Sequence, residues 1–201
     1  MIRPLLRTLH KPIYEHRQQV LVRLITPHLG PGARVLDVGC GFGHLGEALM
    51  KAAPGVRVEG VESVRRGNEL IPVTAYEGTR MPWPDHTFDA VILADVLHHD
   101  DDQLRLLREA ARVSKNRVII KDHLREGLLA QQRISLLDWA ANAGYKVPCT
   151  YRYNDLREWR DMLGHVATEV VEERTSVDVY PVVFNQLLGR GLHYFSVFVR
   201  K

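Results

Sequence analysis

The chain has 201 residues, 45% of them hydrophobic, which suffices for one domain with a full core. Its net charge of +3, without a run of five basic residues, gives no sign of a dedicated nucleic-acid surface beyond a modest basic face, and no stretch reaches the roughly 18 apolar residues of a membrane span. Cys40 and Cys149 lack metal-ligand spacing, and Cys40 lies inside a glycine loop, so a reducing compartment fits better than a structural disulfide.

The opening MIRPLLRTLHK lacks the apolar region of a signal peptide. It is arginine-bearing and acid-free, as transit peptides are, but the expectation is a cytoplasmic protein. Residues 12 to 29 are predicted as an amphipathic helix: Ile13, Val20, Leu21, Leu24 and Ile25 keep the 3.6 period, and Pro12 suits a first turn. PGARVLDVG reads as a turn and a buried strand. The glycine loop leads into a helix at about 43 to 52, stopped before Pro54-Gly55. VRVEGVE is a second strand, SVRRGNEL one or two helical turns, and IPVTAY a third strand. After the loop MPWPDHT comes FDAVILAD, apolar throughout as a central parallel strand should be.

Residues 100 to 113 are predicted helical, with Leu104, Leu107, Ala111 and Val113 inward. RVIIKDH is a fifth strand, and residues 124 to 143 a long helix ending near Asn142-Ala143-Gly144. NDLREWRDML then reads as a helix, VATEVVEE as a strand, PVVFNQLLG as a short helix and HYFSVFVRK as the last strand. The alternation is βαβ winding with right-handed crossovers. The expected fold is a single α/β domain over 1–201: a Rossmann-like, seven-stranded, mostly parallel sheet with an antiparallel last strand and helices on both faces.

The stretch VLDVGCGFGHLGEAL poses the functional question. It holds G-x-G-x-x-G at Gly41, Gly43 and Gly46, and an acid, Glu62, follows where a dinucleotide site keeps its ribose-binding acid. A pyrophosphate, however, wants glycines, N–H groups and a helix N-terminus with no negative charge nearby. Asp37 places a carboxylate there. S-adenosylmethionine carries a sulfonium and an ammonium group and no phosphate. For it an acid attracts by about 4 kcal/mol at about 4 Å and an effective dielectric of about 20, before desolvation. Glu62, Glu77 and Asp95 follow the second, third and fourth strands, whose C-terminal edges converge on the ligand crevice.

LDVGCGFG, GVES, EGTRMPWPDHTFDAVILADVLHH and RVIIKDH together resemble the successive motifs of class I S-adenosylmethionine-dependent methyltransferases, in the subgroup similar to quinone-biosynthesis enzymes. The match covers roughly residues 33 to 123. The resemblance implies a cofactor-binding core there, a lid helix over 1–30 and an acceptor pocket with the closing strands over 124–201. It implies Asp37 and the backbone of Gly39, Cys40, Gly41 and Gly43 at the methionine end, and Glu62 with Ser63 at the ribose. Glu77 and the Gly78 N–H would lie at the adenine, and Ala94 and Asp95 beside the sulfonium. The family usually has Asp where Glu62 and Glu77 stand.

Methyl transfer depends more on alignment than on acid–base chemistry, and a base is needed only if the acceptor starts protonated. His99 and His123 follow the fourth and fifth strands and are the candidate bases. His98 is expected to turn away. No metal is expected, because the Asp-Asn pair of the Mg²⁺-dependent catechol-type enzymes is Asp122-His123 here. Trp139, Tyr145, Tyr151, Tyr153 and Trp159 are candidates for pocket walls or for core. Arg3, Arg7, Lys11 and Arg17 read as the solvated side of the lid helix, with Tyr14 and Arg17 one turn apart and able to face the methionine end.

The expected activity is methyl transfer to a small, apolar or aromatic acceptor at oxygen or carbon. The absence of an Asn/Asp-Pro-Pro-Tyr stretch argues against an adenine amino acceptor. A protein or nucleic-acid acceptor, a binding protein without chemistry, and an NAD-dependent oxidoreductase are the rival readings. No motif speaks to the oligomeric state.

Overall fold

Seven strands form one sheet in the order β3-β2-β1-β4-β5-β7-β6, as given by a computed structural model that describes residues 2–142 and 150–200. The strands are β1 (Arg34–Val38), β2 (Arg57–Glu62), β3 (Val73–Ala75), β4 (Phe88–Ala94), β5 (Ser114–His123), β6 (Ala167–Arg174) and β7 (His193–Arg200). The first five are mutually parallel, and β7 runs antiparallel between β5 and β6. Tyr145, Cys149 and the predicted helix end at Ala143-Gly144 lie outside the described residues, as do the side chains of Arg3, Arg7 and Lys11.

The sheet is apolar on both faces because helices cover both. Helix α3 (Gln103–Val113) and helix α5 (Leu156–Val166) bury Leu106, Leu107, Ala110, Trp159 and Leu163 against Phe88, Val91 and Leu93. Helix α1 (Ile2–Ile25) and helix α2 (His44–Ala52) bury Val20, Leu21, Ile25 and Leu49 against Val35, Ala90 and Ile92. Helix α4 (Ala130–Asn142) packs Ile134 and Leu137 with Tyr153 and Leu192 in a smaller cluster beside the main core. Among the described residues no helix is long and apolar enough to cross a membrane.

Four elements differ from the sequence expectation. Helix α1 runs Ile2–Ile25 with Pro12 inside it, and a 3₁₀ turn follows at Thr26–His28. Residues 63 to 70 form no helix. The Glu69 carboxylate accepts the N–H groups of Arg66 (3.0 Å) and Gly67 (3.1 Å), so a side chain takes the donors that a helix would use. Helix α3 begins only at Gln103, where Asp102 caps it by accepting the Arg105 N–H at 3.0 Å. Helix α4 begins at Ala130, because Gly127 (φ +90°) and Leu129 (φ +52°) take left-handed conformations before it.

The connectivity positions the site. The chain winds β1-β2-β3 outward on one side, then crosses to β4 and β5 on the other, so the order reverses between β1 and β4. In an open α/β sheet that switch point, at the C-terminal strand ends, is where a ligand crevice opens. Asp37 lies there on β1, level with Gly60 of β2 and Ile92 of β4.

Candidate active site

β1 ends in a loop that only glycine can form. Gly39 has φ +68°, and a Cβ on it would lie 2.5 Å from Val96 Cγ2. Gly43, at φ +79°, caps helix α2, and a Cβ there would lie 2.6 Å from Ile71 Cγ1. The Gly39 and Cys40 N–H groups both donate to the Val61 carbonyl, at 2.8 and 3.4 Å. Burial, and then the charges of Asp37 and Glu62, push the Cys40 thiol well up, so it is a neutral spacer and no nucleophile.

Two carboxylates flank this loop. Glu62 Oε2 accepts the Gly41 N–H at 2.9 Å, while Oε1 accepts the Ser63 N–H at 2.9 Å and the Ser63 hydroxyl at 3.2 Å. One side chain thereby ties the end of β2 to the glycine loop. Asp37 is 2% exposed, and its Oδ2 has no hydrogen-bond partner. Burial and the neighbouring Glu62 charge raise its pKa to about 7, against the opposing pull of Arg17. Further out, Glu77 is exposed beyond β3, and Gly78 (φ +84°) gives its carbonyl to the Arg105 guanidinium.

Asp95 follows Ala94 at the end of β4, in a left-handed conformation (φ +55°) unusual for a side-chain-bearing residue. Its N–H donates to the Lys121 carbonyl at 2.7 Å. Its carboxylate takes Lys121 Nζ at 2.6 and 2.8 Å, and also the Arg17 guanidinium from helix α1. Burial alone would raise the Asp95 pKa, but Lys121 and Arg17 outweigh it and hold the group well below the carboxylate range. Burial correspondingly pushes the Lys121 ammonium down.

A second polar cluster lies at the ends of β4 and β5. His98 is 3% exposed, and its Nδ1 is 2.6 Å from Asp122 Oδ1. Burial disfavours the protonated ring, yet Asp122, with Asp138 beyond it, raises its pKa to about 10. Asp138 of helix α4 accepts the Tyr153 hydroxyl at 2.7 Å. His123 is buried, with its Nδ1 unpartnered, and burial followed by the His98 charge lowers its pKa to about 4. His193 of β7 is fully buried, its ring 5.3 Å from that of His123. His99 is half-buried, its ring 4.1 Å from that of His98.

The residues read from the sequence therefore fall into two groups. Asp37, Gly39, Cys40, Gly41, Gly43, Glu62 and Ser63 meet around one loop, while Ala94, Asp95, His99 and His123 meet at the β4–β5 edge. His98 is buried, with its ring held by Asp122. Among the aromatics, Tyr153 joins the cluster, Trp159 is core and stacks on Tyr194 at 4.8 Å, and Trp139 and Tyr151 are exposed. Sequence reasoning missed Lys121, Asp138 and His193. Lys121 had a signal: a lysine within the apolar run RVIIKDH needs a buried counter-charge.

The sequence profile described as a methyltransferase domain matches residues 13–170. The chain belongs to this methyltransferase family. The chain is similar to YcgJ of Bacillus subtilis, described as an uncharacterized methyltransferase, which is 26% identical over 171 residues, or 79% of this chain and 65% of that protein. The ubiquinone biosynthesis O-methyltransferase of Vibrio cholerae is 32% identical over 96 residues, or 42% of this chain and 38% of that enzyme. The chain thus spans less than two thirds of either relative. The fold of this chain is shared with the crystal structures of YcgJ (TM-score 0.62, 18% identity, 93% of this chain and 98% of that one) and of a SAM-dependent methyltransferase from Aquifex aeolicus (TM-score 0.64, 19% identity, 98% of each). Membership of the family implies S-adenosyl-L-methionine as the cofactor.

The Asp95–Lys121 pair generates a stability prediction. Removing one member of a buried ion pair strands the other, at a cost of about 3–5 kcal/mol. Asp95→Ala is expected to lower the unfolding free energy by that amount in urea denaturation. A loss under about 1 kcal/mol, the scale of an exposed pair, would show that Lys121 does not depend on Asp95.

Proposed function

We propose that this methyltransferase moves the methyl group of S-adenosylmethionine to oxygen or carbon of a small, apolar or aromatic molecule. The observation that carries the reading is the buried Asp37 carboxylate beside the glycine loop, its Oδ2 unpartnered, with Glu62 next to it. A cationic nucleoside suits that arrangement, and a pyrophosphate does not. Asp37 and the backbone of Gly39, Cys40, Gly41 and Gly43 take the methionine end. Glu62 takes the ribose hydroxyls with lone pairs left after its bonds to Gly41 and Ser63. Glu77 and Gly78 take the adenine, and Ala94 and Asp95 border the sulfonium.

Residues 1–30 act as a lid and residues 33–123 as the cofactor core, with the acceptor pocket built from 124–201. The reach of Arg17 from helix α1 to Asp95 supports the lid role. In the reaction an acceptor lone pair forms the new bond to the methyl carbon as the carbon–sulfur bond breaks. Sulfur keeps the electron pair, and S-adenosylhomocysteine leaves. A hydroxyl or acidic carbon gives its proton to His99 or His123. The lowered pKa of His123 keeps its ring neutral near pH 7 but makes it a weak base, which favours His99 as the group that takes the proton. Alignment of acceptor and methyl then supplies the larger part of the rate.

Two expected outcomes follow from this assignment. Glu62→Ala is expected to weaken S-adenosylhomocysteine by roughly 1.5–3 kcal/mol, the scale of charged hydrogen bonds, or about ten- to 150-fold in calorimetric dissociation constant. An unchanged constant removes Glu62 from the ribose site. For the acceptor, purified protein with methyl-labelled S-adenosylmethionine and a cell extract is expected to label the small-molecule fraction. Label found in protein or RNA instead would overturn the small-molecule reading.

A further inference from the structure

The cluster at the β4–β5 edge contains more nitrogen donors than hydrogen bonding uses. His98 Nε2, His123 Nδ1 and both ring nitrogens of His193 are buried without a hydrogen-bond partner. These three residues are 3%, 6% and 0% exposed. An unsatisfied buried polar group costs about 1–3 kcal/mol, so several around one point ask for a common partner.

We propose that His98, His123 and Asp138 bind a divalent first-row transition metal ion. Their donor atoms all lie within 4.8 Å of one another. His98 Nε2 is 3.6 Å from Asp138 Oδ1, too long for a hydrogen bond. Two donors each about 2.1 Å from one tetrahedral ion stand about 3.4 Å apart, so this pair is spaced for a shared ion, whose binding releases to solvent the proton that the two carboxylates otherwise hold on His98. Two imidazoles and a carboxylate suit the zinc or iron(II) class, and they leave at least one coordination position open.

The surroundings match what metal ligands need. Asp122 Oδ1 engages His98 Nδ1 at 2.6 Å, which turns Nε2 toward Asp138. The same carboxylate accepts the His123 N–H at 2.7 Å. Tyr153 donates to Asp138 Oδ2 at 2.7 Å, and Asp138 Oδ1 lies 3.6 Å from His98 Nε2. Carboxylate and hydroxyl partners of this kind orient ligands and tune affinity. His193, which shares a second donor group with His123 and Asp95, stands next to the site. The set differs from the post-strand carboxylate pattern of Mg²⁺ enzymes, since its carboxylate comes from helix α4 and Asp95 is engaged by Lys121 and Arg17.

The donor set stands independently of the acceptor assignment. What it implies for catalysis rests on the proposed methyl transfer: with the His123 ring on the ion, His99 is left as the base, and an acceptor with an oxygen donor is the class that fits.

The test is titration of the chelator-treated full chain with Co²⁺, followed by its visible d–d absorption. One equivalent is expected to give a saturable band that Zn²⁺ displaces. Asp138→Asn and His98→Ala are expected to abolish the band, and Tyr153→Phe to weaken binding about ten- to 100-fold. Each variant is checked by circular dichroism and by S-adenosylhomocysteine calorimetry, which report folding and the cofactor cleft separately. No saturable Co²⁺ band in the folded wild-type chain, or a band unchanged in folded Asp138→Asn, overturns the site. A Co²⁺ band without S-adenosylhomocysteine binding would instead sink the methyl-transfer reading and leave the metal site standing.

Discussion

A carboxylate buried at the edge of a sheet must be matched by positive charge or lose its own. Three of the acids at the C-terminal edge of this sheet illustrate the alternatives. Asp95 is matched within the protein by Lys121 and Arg17 and stays ionised. Asp122 is matched by His98. Asp37 is hydrogen-bonded through neither a cation nor an N–H at Oδ2, and its pKa rises to about 7. Such a shift favours the protonated form in the folded chain, so burial of Asp37 costs stability progressively as pH rises from the ordinary value of 3.8 to about 7. A ligand bringing an ammonium group would remove this cost, which makes Asp37 a selector for positive charge.

The topology explains why these acids gather. Parallel strands end at one edge, and the reversal of strand order between β1 and β4 opens the crevice there. Gly39 lets the loop turn sharply past Val96, and the β1–β2 register sets Asp37 level with Gly60, within the electrostatic reach of Glu62. On the other side of the switch point, Lys121 and Asp122 are consecutive on β5, and alternation along a strand sends them to opposite faces. Lys121 therefore serves Asp95 and helix α1, while Asp122 serves His98 and the histidine cluster. The cofactor cleft and the cluster are thus wired to adjacent residues of one strand.

Much of this was legible in the sequence because it is local. Apolar runs gave β1, β2, β4 and β5, glycine spacing gave the loop, and Asp155 with Glu158 forms the capping box that starts helix α5. The errors came where a distant partner decides. Residues 63 to 70 have helical composition, but the Glu69 side chain captures their N–H groups. The sequence offered no partner for His98, which Asp122, 24 residues later, holds in the interior. Trp139 follows Asp138 in sequence, but only Asp138 faces the cluster, and Trp139 is 56% exposed. Pairing across such separations is set by packing, which periodicity does not encode.

The claim that Asp37 selects a cationic ligand is tested most directly by calorimetry of S-adenosylhomocysteine and of 5′-methylthioadenosine, which lacks the amino-acid end. Ionised Asp37 attracts the ammonium group, so S-adenosylhomocysteine affinity should rise with pH through about 7. Asp37→Asn should weaken that ligand and flatten its pH dependence, while leaving 5′-methylthioadenosine nearly unchanged at every pH. Equal losses for both ligands in Asp37→Asn, or S-adenosylhomocysteine binding that ignores both pH and the substitution, would contradict the account.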